Sequence, residues 1–282
     1  MTSYIATLFK KHKHKYLNKM ENKESSLKSA FAGLVIVVCL VVAHLLFYLV
    51  MGASSNFDAD GHPLPGNYLG IVYKGGFIVP ILMSFLLIVI TVSIERFLTI
   101  NKATGSGAVE VFVRNIQSLL SENNTSQAIA ACDEQKGSVG NVVKATLEKY
   151  EQMKSDQKLD KEQKIASIQK TVEEATSLEM PSLEKNLTIL STLASVATLV
   201  ALLGTVLGMI RAFAAMAQAG APDSSALATG ISEALINTAI GIGTSAVAII
   251  AYNFFTSKID TLTYSIDEAG MSITQTFSST QK

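Results

Sequence analysis

Charge is scarce in this chain. Only 16% of its 282 residues are Asp, Glu, Lys or Arg, against 49% hydrophobic, whereas a soluble domain is about a quarter charged. Tryptophan is absent, so any aromatic belt at a membrane surface must use Tyr and Phe. The two cysteines, Cys39 and Cys132, lie in different segments, which excludes a disulfide framework and a cysteine metal cluster. Lys plus Arg equals Asp plus Glu, 23 each, so net charge says nothing about partners; no nucleic acid is expected among them. A phosphate-binding glycine loop is missing too. "GSGAVE" near Gly105 is too short and mis-spaced for a dinucleotide fingerprint. No nucleophile–base set or metal-ligand spacing emerges, so neither an enzyme nor a cofactor is expected.

What is present is length of apolar run. A bilayer core needs roughly 20 mostly apolar residues in helix, and four stretches qualify: 30–52, 77–97, 187–217 and 226–256. In lipid every backbone polar group must be bonded internally, so these are helices. The first is longer than the roughly 7–15 residues of a signal-peptide core. It is read as a retained span, the competing reading being cleavage near Ala53 to Ser55. Lys10, Lys11, Lys13, Lys15, Lys19, Lys23 and Lys28 precede it, which places the 1–29 leader inside by the positive-inside rule. The 53–76 loop carries only Lys74 and faces the periplasm. The 98–186 segment faces inside, since twelve Lys or Arg residues fall between Glu95 and Asn186. The 218–225 turn has no cation and faces outside, and the 257–282 tail is inside. The fold class expected is an all-α integral membrane protein with four transmembrane helices and a helical cytoplasmic insert.

Within the insert, Val109, Phe112, Val113, Ile116, Leu119 and Leu120 form a helical stripe. Thr125 or Ser126 offers an N-cap for a second helix, and Ser138 a start for a third. "EKYEQMKSDQKLDKEQK" reads as a solvated linker or exposed helix. Ile165, Ile168, Val172, Ala175 and Leu178 or Glu179 then follow near-heptad spacing, and Pro181 predicts a bend or restart before the third span. A small supporting bundle accounts for all of this.

The last two spans carry the chemistry. Thr188, Thr192, Ser195, Thr198, Leu202 and Thr205 lie close to one face of the third. Such a face serves either helix packing or a wettable pore. In the fourth, "SEALINTAIGIG" puts Glu233 inside an apolar run, where a charge costs about 2.5–3.5 kcal/mol on insertion scales. Asn237 follows one turn on, Thr238 adjoins, and Gly241 and Thr244 extend the line. A structural ion pair is the plain explanation of Glu233, and Arg211 is the nearby candidate. Counted from the middle of the turn, Arg211 is about eight residues away and Glu233 about thirteen, roughly 7 Å apart in depth at 1.5 Å per residue. Arg211 is therefore expected to snorkel to the interface and to leave Glu233 as a proton-carrying acid. Small residues at Gly204 and Gly208, and at Ala226, Gly230, Ala234 and Thr238, suit close helix approach, with Gly241 on the same helix.

These residues resemble a known family. "LLGTVLGMIRAF", "GISEALINTAIGI", the closing "YNFF" and "SIERF" after the second span are similar to the ExbB/TolQ/MotA proton-channel family, closest to ExbB. The resemblance implies a homopentamer in the bacterial inner (cytoplasmic) membrane, with an ExbD-like single-span partner and a TonB-like protein energised by the proton motive force. It implies a proton pathway through Glu233 and Thr238, to which the residue pattern adds Asn237, Ser195, Thr198 and Thr205. The family's threonine early in the third span falls on Val196 and its proline near Thr198, leaving Ser195 and Thr198 as the polar residues there. The first span is extra to the three-span pattern. A TolQ-like envelope-maintenance subunit, a gliding-motor stator and a non-conducting scaffold are the competing expectations.

Overall fold

The computed structural model describes residues 33–218 and 224–280. The 1–29 leader and most of the predicted outer turn lie outside them. Nine α-helices, named α1 to α9 in chain order, a 3-10 turn at Ser54–Asn56 and one isolated bridge between Phe57 and Pro63 make up the regular structure among the described residues. Four helices there are long and apolar enough to cross a membrane, within Gly33–Met51, Val79–Ser121, Leu187–Ala217 and Leu227–Thr280. The fold is all-α with a helical insert, as the run lengths imply.

The first of two compact units comprises residues 33–88 and 196–244 of the described chain. Its α1 spans Gly33–Met51 and ends in a wider π turn, Leu46–Met51. Cys39, Ala43 and Phe47 repeat every four residues and form the buried face of α1, as one helical stripe requires. The following loop is held by asparagines. Asn56 Nδ2 donates to Val50 O at 2.7 Å and Met51 O at 2.9 Å, and Asn67 caps α2 (Tyr68–Tyr73). Gly75 and Gly76 then lead into α3 (Val79–Thr104), whose Pro80 sits in the first turn, where the missing N–H costs nothing. Parts of α8 (Leu187–Gln218) and α9 (Ser224–Thr280) complete the unit. Ile78, Leu82 and Ala201 form its core, with Phe85, Val200, Leu207 and Ile240 packed around them.

Glycines set the α8–α9 distance. A Cβ on Gly208 would lie 3.0 Å from Gly230 O, and one on Gly230 2.5 Å from the Ala212 methyl. A Cβ on Gly204 would meet Asn237 at 2.9 Å, and one on Gly241 would overlap Ala201. At each of these four positions a side chain would meet the facing helix.

The second unit comprises residues 89–195 and 245–280 of the described chain. Helices α4 (Val109–Ser121), α5 (Thr125–Gln135), α6 (Gly137–Ser155) and α7 (Lys161–Glu184) form the insert. The predicted stripe of α4 buries Phe112, Val113, Ile116 and Leu120. The cap of α5 is Asn124, accepting from Gln127 N at 3.3 Å, one residue before the expected Thr125; asparagine is the stronger N-cap residue of the two. The polar linker resolves into the end of α6 and a capping box at Asp160 and Gln163 that starts α7. Pro181 does not interrupt the helix. The α7 helix runs through it to Glu184, and the break falls at Asn186, at φ 65°. Asn tolerates this left-handed conformation better than most residues.

Arg96, 1% exposed, fixes that junction. Its Nη1 donates to Ser182 O and Leu183 O, both at 3.1 Å, while Nε and Nη2 grip Glu95. Asn186 Nδ2 donates to Glu95 at 3.2 Å. These carbonyls are the open end of α7, which needs donors. The 257–282 segment, read as a tail, continues α9 as helix to Thr280. Ile259, Leu262, Ile266, Ala269, Ile273 and Phe277 are buried, and Phe277 meets Tyr150 of α6 edge-on at 5.1 Å.

Candidate functional site

The site is built on α9 in the first unit. Its residues from Leu227 onward are apolar enough for lipid, so a polar side chain there must turn inward or carry a function. Glu233, Asn237, Gly241 and Thr244 share one face, and all four are buried. Glu233 is 6% exposed and Asn237 0%.

The chain leading into α3 closes over this face. Gly76 adopts φ +78°, and a Cβ there would collide with the Glu233 carboxylate. Only glycine meets both demands. Asn237 Nδ2 donates to Gly75 O at 3.1 Å. Asn237 Oδ1 and Thr244 Oγ1 are buried with no hydrogen-bond partner among the described residues. Each such atom costs about 1–3 kcal/mol, so this face is not optimised for stability alone.

One expectation is corrected. Arg211 pairs with Glu233, its Nη2 lying 2.7 Å from Oε1. The helix ends explain why. Arg211 is seven residues before Gln218, where α8 ends, and Glu233 nine after Ser224, where α9 begins. Their depths differ by only about 3 Å at 1.5 Å per residue, within reach of an arginine side chain. The Arg211 guanidinium also lies over the Phe77 ring at 5.5 Å. Its side chain remains 49% exposed, against 8% for that of Glu233.

A second polar cluster adjoins. Thr205 Oγ1 and Thr238 Oγ1 are 2.5 Å apart. Thr205 also reaches Ala201 O at 3.0 Å, and Thr238 reaches Ala234 O at 3.0 Å. One hydroxyl donates to the other, and the accepting hydroxyl donates its own O–H to a carbonyl, which satisfies both. Ser195 and Thr198 are placed differently. Both are exposed on α8, as are Thr188, Thr192 and Leu202. Thus the structure brings Glu233, Asn237, Thr205 and Thr238 to the α8–α9 interface and leaves the rest of the predicted hydroxyl face uncovered. Gly75, Gly76 and Phe77 were not anticipated. The Gly-Gly pair before an apolar run was the available signal, since it marks close backbone approach.

Among the described residues no three His, Cys, Asp or Glu side chains gather as a metal site.

Residues 134–268, which include Glu233, Asn237, Thr205 and Thr238, match the MotA/TolQ/ExbB proton channel family. The chain is similar to the Tol-Pal system protein TolQ of Pseudomonas aeruginosa, 31% identical over 124 residues, covering 44% of this chain and 54% of that one. It is 44% identical over 80 residues to the biopolymer transport protein ExbB of Helicobacter pylori, covering 28% and 55% respectively. Against ExbB of Xanthomonas campestris pv. campestris, strain B100, identity is 36% over 93 residues, covering 33% and 36%. The chain thus spans between about a third and about half of the length of these relatives. The stretch that matches the MotA/TolQ/ExbB proton channel family, residues 134–268, is just under half of this chain.

Proposed function

We propose that this chain is the proton-conducting subunit of an energy-transducing complex in a bacterial inner membrane. In this reading it works with an ExbD-like single-span partner, in a homopentameric ring, and passes motion to a TonB-like protein. The observation that carries the reading is Glu233: an acid 6% exposed within an apolar helix, in a stretch that matches a proton channel family. Intramembrane carboxylates mark proton relays or ion paths. A proton falling through the membrane potential releases about 2.3 kcal/mol per 100 mV, enough for a conformational step. The uncovered face Thr188, Thr192, Ser195, Thr198 and Leu202 supports the ring, because two helices of one subunit cannot enclose a path. Both termini inside follows from the cation distribution.

A TolQ-like role is the second reading, favoured by the similarity to TolQ over 124 residues. The proteins that co-purify separate the two.

Glu233→Gln tests the core of the proposal. In the complex purified with its partners and reconstituted in vesicles, proton flux under an imposed potential is expected to fall to the background of empty vesicles. Full flux in that variant would sink the proton-path reading.

A further inference from the structure

Glu233 has a built-in cation, and the two partners are unequally held. The carboxylate is enclosed, its side chain 8% exposed and closed over by Gly76. Arg211 sits at the rim with its side chain 49% exposed. Its contacts there are the Phe77 ring and Leu207 O at 3.4 Å from Nε, neither of which holds a guanidinium firmly. Arginine cannot lose its proton in a protein, so the pair cannot neutralise itself by internal proton transfer. Arg211 can leave only as a cation, and its exposed position gives it somewhere to go.

We propose that Arg211 is a latch on Glu233, closed when the acid is ionised and released each time the acid takes a proton. The inference rests on the proton-path reading of Glu233. A hydronium ion reaching the site gives its proton to a carboxylate oxygen and leaves as water. The carboxyl is then neutral, the charge attraction to Arg211 is gone, and the guanidinium swings outward. Loss of the proton onward restores the anion and draws Arg211 back. The latch thus keeps the acid occupied between transfers and limits idle leakage. Arg211 is a positioning residue here, acting through Glu233.

Leakage is the readout, because a purely structural ion pair would not set it. The full chain is expressed from its own chromosomal locus, with its native partners, and cytoplasmic pH is followed with a fluorescent reporter after an external acid pulse. An ion pair with one exposed partner is worth up to about 1 kcal/mol, or about fivefold. Arg211→Gln is therefore expected to acidify about fivefold faster than the parent. Arg211→Lys, which keeps the charge, restores the slow rate. Arg211→Gln combined with Glu233→Gln abolishes the excess leak. If Arg211→Gln does not accumulate in the membrane, Arg211→Met, better suited to an apolar helix, takes its place with the same expectation. An unchanged or slower rate in the uncharged variant overturns the latch, as does a fast rate in Arg211→Lys or in the double variant. Proton-driven function surviving in Glu233→Gln alone would instead remove the proton-path reading, so the two failures are told apart.

Discussion

Gly241 and Gly243 lie two residues apart on α9 and face opposite ways, which makes them a matched test of the α8–α9 seam. Both are helical, so replacement by alanine gains the same helix propensity at each, up to about 1 kcal/mol. Their surroundings differ. A Cβ on Gly241 would overlap the Ala201 methyl and lie 2.9 Å from Ala197 O, whereas one on Gly243 meets nothing within 4 Å. Carbon atoms rest at about 3.5–4.0 Å, so α8 and α9 must separate to accept the new methyl. Overpacking of this kind costs about 1–3 kcal/mol. With propensity cancelled, Gly241→Ala should be less stable than Gly243→Ala by about 1–3 kcal/mol, a factor of roughly five to over a hundred in the unfolding equilibrium. Reversible unfolding in mixed micelles, titrated with a denaturing detergent and followed by circular dichroism, measures that difference directly. Equal midpoints, or a lower midpoint for Gly243→Ala, would refute the seam.

Two further predictions concern the second unit, beside those made above for Glu233 and Arg211. Burial, and then the Asp133 charge, push the Cys132 thiol up to about 12 from an ordinary value of 9.0. The folded protein should therefore resist alkylation by iodoacetamide at Cys132 near pH 8, read by peptide mass spectrometry. The unfolded chain releases this proton above about pH 9 and the folded one only near 12, so alkali favours unfolding between them, and Cys132→Ala should flatten that slope. Arg96→Leu strips Ser182 O and Leu183 O of donors and leaves Glu95 without its cation. At about 1–3 kcal/mol per orphaned group, thermal unfolding should show a loss of about 3 kcal/mol or more, with Arg96→Lys intermediate.

Much of this was legible in the sequence because hydrocarbon is a demanding solvent: only long apolar runs survive in it, and those runs are visible without a structure. Glu233 and Asn237 stood out for the same reason. Other features depended on where helices end. A turn bending at its middle would separate Arg211 from Glu233 in depth; the helix ends instead bring the two within reach. The stretch from Ile259 to Phe277 does carry spacings of three and four, but its polar neighbours read as a tail until Tyr150 supplies the surface it buries against. Asn124 and Thr125 differ by one residue, below what cap preference resolves. The Gly75–Gly76 pair marks a close backbone approach but not its target, since the contact with Glu233 joins residues far apart along the chain.

The break at Lys185 and Asn186 would ordinarily be the softest point of the chain, a two-residue interruption between long helices. Here it is riveted. A guanidinium from α3 clasps the last carbonyls of α7, and Asn186 is tied to the neighbouring carboxylate. An elbow locked in this way transmits twist instead of absorbing it: torque applied to α7 must turn the base of α8 with it, as a crank turns its shaft.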